Sequence, residues 1–191
     1  MVAPNVKSKT KKEDKDSWAT PKALVKGSVV YFNRKNLIFN NENYIDLDVC
    51  ASAHNTKSVN YFDETTNGLA QPWGKRLLCW CNPPYSRGQK EAFIEKAITE
   101  VENGNETIML LPNDTSAKWF SVCVKHAMAI AFICNGRISF INNTTGENTN
   151  GNNAGSILVL FAKKPVGQNV ARTLYVTKKH LFELGVENER G

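Results

Sequence analysis

The stretch LLCWCNPPY at residues 77–85 decides the fold of this chain. A short apolar run stopped at once by two prolines predicts a buried β-strand over 77–81. The side chains of Asn82 and Tyr85 and the carbonyl of Pro83 then lie at the carboxyl end of that strand, the edge where open α/β sheets bind ligands. Such groups suit the holding of a planar heteroaromatic amine while its nitrogen attacks an electrophile. The alternative is a tight turn that only ends the strand, and the surrounding sequence favours the first reading.

Length and composition predict one globular domain behind a short tail. The 191 residues are 41% apolar and 22% charged, which suffices for a single core. Residues 1–16 carry five lysines and few apolar groups, so we expect a disordered basic tail followed by a single domain over 17–191. No apolar stretch reaches the length of a membrane span, and the N-terminus lacks the apolar core of a secretory signal. We therefore expect no membrane partner.

The cysteines and the net charge add weaker constraints. The five cysteines all lie in apolar surroundings without a C-x-x-C pair or a nearby histidine, which predicts reduced core residues, a cytoplasmic protein and no metal site. The net charge of +6 is modest evidence for a polyanionic partner, because many globular proteins share that balance.

Strand and helix patterns alternate along the chain. They predict strands over 44–49, 77–81, 107–111, 128–134 and 156–161, short extended pieces over 59–62 and 138–141, and helices over 22–30, 89–102 and 115–126. Pro21 suits the first turn of the first helix, with Thr20 as its cap. This alternation predicts a doubly wound, mostly parallel sheet. Only the Asn-rich loop 142–154 separates the last two strands, so they are predicted to form an antiparallel hairpin at the end of the sheet.

Six short segments, in order, resemble the S-adenosylmethionine-dependent DNA N6-adenine methyltransferases of phages and prophages. The resemblance spans residues 17–162, and it implies a Rossmann-like methyltransferase fold, S-adenosylmethionine as cofactor, double-stranded DNA as partner and, for a phage-encoded protein, the host-cell cytoplasm. The segments are WATP at 18–21, DVCA at 48–51, NGL at 67–69 with Trp73, NPPYS at 82–86, LP at 111–112 with WF at 119–120, and GRISF at 136–140.

The resemblance assigns the reaction to the tetrapeptide Asn82, Pro83, Pro84 and Tyr85. The lone pair of adenine N6 is delocalised into the ring and is a poor nucleophile. Hydrogen bonds from its two protons to Asn82 Oδ1 and the Pro83 carbonyl favour a pyramidal nitrogen and stabilise the positive charge that develops on it. A base inside a duplex must first flip out of the stack, and the Tyr85 ring is placed to stack on it.

Cofactor contacts are implied near the end of the first strand. The Asp48 carboxylate is expected to accept a hydrogen bond from the cofactor's amino group, and the small residues Cys50 and Ala51 would let backbone N–H groups approach the ligand. Asn67 and Leu69 belong to the same set, although many relatives have Asp where Asn67 stands. The glycine-rich motif of many methyltransferases is absent. A turn-capping role is the alternative for Asp48.

The resemblance implies a further group of cofactor contacts at the N-terminus, and the positions of several charged residues predict contacts with DNA. Trp18, Thr20 and Pro21 match an N-terminal cofactor-contact segment, with a plain core role as the alternative for Trp18.

Arg137 is expected near one end of the sheet, where it contacts DNA or pairs with a carboxylate inside the fold. Arg87 and Lys118, together with Lys90, flank the pocket as DNA-backbone contacts or solvated charges. Asp114 is either a helix cap or a substrate contact.

The chain leaves no room for a large separate target-recognition domain. Specificity would come from loops, the segment 172–182 or a second subunit, and neither the recognised sequence nor the oligomeric state follows from the residues. NPPY also occurs in methyltransferases of protein glutamine and of adenine in structured RNA, which remain alternative functions. A DNA-binding module with a decayed cofactor site is a third.

Overall fold

The computed structural model describes residues 18–39, 43–85, 88–142, 145–148 and 154–187. The predicted basic tail, Arg87 and most of the Asn-rich loop 142–154 lie outside the described residues. Within them the strands are β1 (Trp18–Ala19), β2 (Leu47–Asp48), β3 (Leu78–Cys81), β4 (Glu106–Pro112), β5 (Ala129–Cys134), β6 (Ile141–Asn142), β7 (Ser156–Phe161) and β8 (Arg172–Thr177). The helices are α1 (Lys22–Arg34), α2 (Gln89–Glu100), α3 (Lys118–His126) and α4 (Lys178–Glu187), with a 3-10 turn at Val101–Asn103.

A six-stranded sheet in the order β2-β3-β4-β7-β5-β8 organises the molecule. β2, β3 and β4 pair in parallel, β5 and β8 pair in parallel, and β7 runs antiparallel to both β4 and β5. The predicted mostly parallel α/β sheet with an antiparallel pair is therefore confirmed. The prediction that this pair ends the sheet is wrong, because β7 also pairs with β4 and β8 continues the sheet beyond β5. A separate two-stranded sheet joins β1 to β6.

The sheet is covered on both faces, and alternate residues of one strand enter different cores. Leu78 and Trp80 of β3 pack into the cluster with α1 and α4, while Cys79 and Cys81 pack into the cluster with α2 and α3. Trp80 is 1% exposed. Full burial of one such side chain is worth about 1.5–3 kcal/mol, so this strand is fixed from both faces.

Helix α1 lies unusually close to α4 because glycines stand at their contact. A Cβ on Gly27 would lie 1.8 Å from the Leu181 carbonyl oxygen, and one on Gly185 would lie 2.0 Å from the Ala23 carbonyl oxygen. Backbone therefore meets backbone at both points. Only a residue without a side chain permits that approach.

Several element boundaries differ from the sequence prediction for local reasons. The strand predicted over 44–49 is regular only at Leu47–Asp48, although the N–H groups of Asp46 and Val49 continue the pairing to β3. The extended piece at 59–62 is confirmed as a parallel bridge from Tyr61 to Asp48. Thr20 does not cap α1, because Pro21 occupies the N-cap position and no side chain caps it. Within the described ranges, no helix is both long and apolar enough to cross a bilayer.

Candidate active site

The predicted catalytic tetrapeptide follows β3 directly, at the carboxyl edge of the sheet. Pro83 is buried, Asn82 and Pro84 are half-buried, and Tyr85 is 42% exposed. The Tyr85 hydroxyl donates a long hydrogen bond of 3.4 Å to Asn82 Oδ1. The Asn82 amide and the Tyr85 ring therefore lie side by side. The Tyr85 hydroxyl is bonded to Asn82 Oδ1, the same oxygen that is expected to accept an N–H of the adenine.

The ends of β2 and β3 meet at this edge. Asp48 lies opposite Trp80 in the parallel register, and the Val49 N–H donates to the Trp80 carbonyl at 3.0 Å. The thiol of Cys81 lies near Cys50 and Asp48, and its pKa is raised, chiefly by burial and then by these neighbours. The tetrapeptide thus begins beside the predicted cofactor turn.

Asp48 is a buried carboxylate, 2% exposed, with two backbone partners. Its Oδ2 accepts a hydrogen bond from the Lys57 N–H at 2.9 Å, and its Oδ1 accepts one from the Cys50 N–H at 3.3 Å. Burial raises the pKa of Asp48 to about 6, against the lowering effect of these N–H groups and the Lys57 ammonium. Asp48 therefore caps the turn that follows it, and each carboxylate oxygen still has a lone pair that can accept a hydrogen bond from a ligand.

The backbone N–H groups of the turn after Asp48 were expected to be available to the cofactor, but they are bonded within the chain. The N–H of Cys50 donates to Asp48, that of Ala51 to the Phe62 carbonyl at 2.8 Å, and that of Ser52 to Asn55 Oδ1 at 3.3 Å. All three donors are consumed inside the chain. Cys50 and Ala51 therefore give this edge small side chains rather than unpaired N–H groups.

Lys57 is a residue of the candidate site that the sequence analysis did not identify. Its pKa is lowered, first by burial, with Asp48 opposing the shift and Lys22 adding to it. Its ammonium donates to the Asn55 carbonyl. The effect of Lys22 on the pKa of Lys57 indicates that the start of α1 lies near this loop. No pattern marks Lys57 in the sequence, because it lies in an irregular loop.

The N-terminal segment divides between core and site. Trp18 pairs with Asn142 and stacks on Phe140 with ring centroids 6.2 Å apart, which is the core role left open for it. Thr20 is 3% exposed, and its Oγ1 has no hydrogen-bond partner within the described part of the chain. An unpaired buried hydroxyl costs about 1–3 kcal/mol. Thr20 is therefore a polar group that a bound ligand could satisfy.

The segment containing Asn67 is held against the end of β2. A Cβ on Gly68 would lie 2.2 Å from the Val49 carbonyl oxygen, and Trp73 Nε1 donates to the Gly68 carbonyl at 2.7 Å. Asn67 is exposed and left-handed, with φ of 53°, and its Oδ1 accepts a hydrogen bond from the Leu69 N–H. The structure thus brings Asn67 and Leu69 to the edge that holds Asp48.

Asp63 is a second residue missed from the sequence. It follows the extended segment that runs parallel to β2, and its Oδ1 accepts hydrogen bonds from Thr65 and Thr66, which lower its pKa to about 2. A carboxylate that stays ionised at the end of the neighbouring strand suits a ribose diol, as in dinucleotide-binding folds. The signal was an acidic residue directly after a predicted extended piece.

The predicted DNA contacts are spread along the same edge. Arg137 is exposed after β5, beyond a turn made by Asn135 and Gly136 with φ of 57° and 126°. Three strand intervals separate β5 from β3, about 14 Å at the usual spacing. Lys118 is exposed at the start of α3.

Two other charged residues near the pocket have structural roles. Lys90 lies over the Trp119 ring, with its Nζ 4.8 Å from the ring centroid. Asp114 Oδ1 accepts hydrogen bonds from the N–H and hydroxyl of Ser116, and these bonds lower its pKa. Asp114 thus caps the turn before α3, which also explains why that helix begins at Lys118 rather than at Thr115.

Comparison with solved structures gives the fold class. The crystal structure of a putative class I S-adenosylmethionine-dependent methyltransferase from Listeria monocytogenes is similar, with a TM-score of 0.52 and 11% identity. The match covers 92% of this chain and 70% of that one. The sheet, with its single antiparallel strand, therefore has the fold of the class I methyltransferases.

Sequence comparison gives the family. A family model described as DNA N-6-adenine-methyltransferase (Dam) matches residues 7–187, and the chain belongs to this family. A DNA N-6-adenine-methyltransferase of Haemophilus phage HP1 is 43% identical over 182 residues, covering 94% of this chain and 97% of that protein. One from Escherichia phage T1 is 32% identical over 176 residues, covering 85% and 68%. The predicted family, the enzyme class and S-adenosylmethionine as cofactor are confirmed. The roles of single residues remain predictions.

Proposed function

We propose that this chain methylates N6 of an adenine in double-stranded DNA after the base has flipped into a pocket formed by Asn82, Pro83, Pro84 and Tyr85. The observation that carries the proposal is the position of this tetrapeptide, which follows β3 immediately beside the Asp48 turn. Both curated relatives are phage proteins named for this reaction, which supports a DNA substrate in the cytoplasm of a bacterial host.

The residues around β2 fit S-adenosylmethionine. Asp48 offers a buried carboxylate for the cofactor's amino group, Thr20 offers an unsatisfied buried hydroxyl, and Asp63 offers an ionised carboxylate for the ribose. Asn67 and Leu69 line the same edge. When bound, the cofactor supplies an electrophilic methyl group.

Asn82 and Pro83 orient and activate the amine. Asn82 Oδ1 and the Pro83 carbonyl each accept one N–H of adenine N6, which withdraws the lone pair from the ring and directs it out of the base plane. Pro84 keeps the tetrapeptide free of a competing N–H. These fixed dipoles stabilise the positive charge that develops on nitrogen. The excess proton is acidic at that stage, so no base needs to act before the attack.

Tyr85 offsets the cost of extracting the base. Unstacking a nucleotide costs a few kcal/mol. Stacking on an aromatic ring returns about 1–3 kcal/mol per base. The half-exposed ring of Tyr85 is accessible for that purpose, and the long bond of its hydroxyl to Asn82 is weak enough to be replaced by the base.

Substrate choice is tested with tritiated S-adenosylmethionine and four acceptors, which are unmethylated duplex DNA, the matching single strand, a structured RNA and a mixture of proteins. We expect label in N6-methyladenine from the duplex, identified by nucleoside chromatography. Label only in RNA or in protein glutamine would support those alternatives. No cofactor binding, together with no transfer to any acceptor, would contradict the proposal and support a DNA-binding module with a decayed cofactor site.

A further inference from the structure

The charge of this chain is concentrated in one contiguous segment. Residues 115–182 contain eight Lys and Arg and a single acidic residue, Glu147, so the segment carries +7 while the whole chain carries +6. The remaining residues are thus almost neutral. The segment forms α3, β5, β6, β7 and β8, so one half of the sheet is basic and the other is not.

An aromatic face lies on this basic half. Leu174 and Val176 of β8 pack on the α1 and α4 side, so Tyr175 projects from the opposite face, where it is 71% exposed. It stacks on Phe132 of β5 with ring centroids 5.6 Å apart and planes at 28°. Phe120 of α3 continues the row, with its ring 6.4 Å from that of Phe132.

Lysine side chains stand at both ends of this row. At the amino end of β8, Lys164 Nζ donates to the carbonyls of Lys125 and Asn169. At the carboxyl end, Lys178 Nζ donates to the carbonyl of Arg137. Carbonyls carry no net charge, so these contacts hold the cations in place without neutralising them. The six residues of β8 set the two ends roughly 17 Å apart, about five base pairs of a duplex.

We propose that this surface docks the backbone of duplex DNA outside the target base. The basic-aromatic face consists of Phe120, Phe132 and Tyr175 with Lys125, Lys164, Arg137 and Lys178. Its cations contact phosphates, and the Tyr175 ring packs against a sugar. The inference rests on the proposed function, because it takes the DNA substrate as given and names the surface that holds it.

The charge selects DNA over a second copy of this chain. A symmetric dimer through this face would bring its own cations together, and their repulsion would oppose association.

The distance of this face from the tetrapeptide indicates its role. β8 lies four strand intervals from β3, about 19 Å, so a duplex engaged by Tyr85 reaches Tyr175 only beyond the target site. The face therefore adds affinity, with little effect on the chemical step.

The test is fluorescence anisotropy of the full chain with a labelled 30-base-pair duplex, without cofactor so that no transfer occurs, at several salt concentrations. Lys125→Gln with Lys164→Gln should weaken binding about tenfold and reduce the slope of log Kd against log salt by about two, one for each phosphate that is no longer neutralised. Tyr175→Ala should weaken binding about fivefold without changing the slope. Lys75→Gln, an exposed lysine outside the basic segment, is the matched control and should change neither.

In steady-state methylation, the same variants should raise KM for DNA several-fold and leave kcat unchanged. Unchanged Kd and salt slope in both variants, with wild type binding the duplex, would overturn the docking surface and leave the proposed function intact. A loss of self-association in sedimentation, without a change in DNA affinity, would overturn it in favour of a dimer interface. Failure of wild type to bind or methylate DNA would instead be a failure of the proposed function.

Discussion

At Tyr85 a single side chain carries two separable contributions. Its ring is proposed to stack on the flipped adenine, while its hydroxyl competes with that adenine for Asn82 Oδ1. Tyr85→Phe should therefore keep the DNA affinity and leave kcat unchanged or slightly raised. Tyr85→Ala should weaken binding of the flipped base about tenfold or more. Fluorescence of 2-aminopurine at the target position reports flipping, and equal signals for Tyr85→Ala and wild type would refute the stacking role.

Asp48 should make cofactor affinity depend on pH. Its pKa is raised to about 6 by burial, so it is largely ionised at pH 7 and largely protonated at pH 5. An ammonium ligand needs the ionised form, and affinity should fall about tenfold between pH 7 and pH 5. Isothermal titration with S-adenosylmethionine measures this change. Asp48→Asn should bind weakly and show a flat profile, whereas a wild-type profile that is also flat would exclude Asp48 as the partner.

Glu106 should affect stability rather than activity. It lies at the start of β4, away from the site, where its Oε2 accepts the Phe39 N–H at 2.9 Å and burial raises its pKa to about 7. A carboxyl with a raised pKa contributes stability below its unfolded pKa near 4.3, and this contribution is lost as pH rises through 7. Glu106→Gln should raise the free energy of unfolding by about 1–3 kcal/mol at pH 8 and by little at pH 4.5.

Urea unfolding at the two pH values measures this difference. Exposed Glu102→Gln is the control and should have no effect at either. If Glu106→Gln were less stable than wild type at pH 8, burial of the ionised Glu106 carboxylate would not be destabilising, which would contradict the prediction.

At the scale of elements, the contact between α1 and α4 depends on two glycines. In an exposed helix Gly→Ala is stabilising by about 1 kcal/mol. At Gly27 the new Cβ would lie 1.8 Å from the Leu181 carbonyl oxygen, and a backbone atom cannot move aside cheaply. Gly27→Ala should therefore lower the free energy of unfolding by about 3 kcal/mol. Gly155→Ala, where the nearest atom is Asn113 Cβ at 3.4 Å, should be nearly neutral in thermal unfolding. Similar Tm values for both variants would contradict this packing.

The elements that were predicted share a strong local signal. β3, β4 and β7 each contain a continuous apolar run of four or five residues, and α2 has a helical apolar face closed by Gly104 at φ of 80°. β8 and α4 were not predicted. β8 reads RTLYVT and buries only Val176, because its outer face is the exposed part of the basic-aromatic face. A strand at the sheet edge needs few apolar residues, so its sequence resembles that of a loop.

In the candidate site, too, features set by neighbouring residues were predictable and contacts between distant segments were not. The tetrapeptide at residues 82–85 was predictable because the strand and the turn are adjacent in sequence. The contact of Asp48 with Lys57 was not predictable, because Lys57 lies in an irregular loop. The hydrogen bond from the Ala51 N–H to the Phe62 carbonyl was not predictable either. Such pairings depend on how the chain returns to the sheet, which apolar periodicity does not encode.

At the scale of the whole molecule, the sheet collects distant residues at one edge. Asp48, Asn67 and Asn82 come from separate parts of the chain, and the edge continues past Arg137 into the basic half. The proposed cofactor residues therefore lie on the nearly neutral half, and the proposed DNA-docking surface lies on the positive half. This asymmetry is the one expected of a domain that holds a polyanion on one half of its sheet.

The measurement that tests the account most directly is single-turnover methyl transfer from tritiated S-adenosylmethionine to unmethylated duplex DNA, comparing wild type with Asn82→Ala. Cofactor affinity and Tm are measured on both proteins, so that a folding defect is separated from a chemical one. We expect wild type to form N6-methyladenine and Asn82→Ala to be at least 100-fold slower (about 2.7 kcal/mol for one lost dipole) with cofactor affinity intact. Equal rates in the two proteins would contradict the account, because the reaction would then not depend on the group at the end of β3.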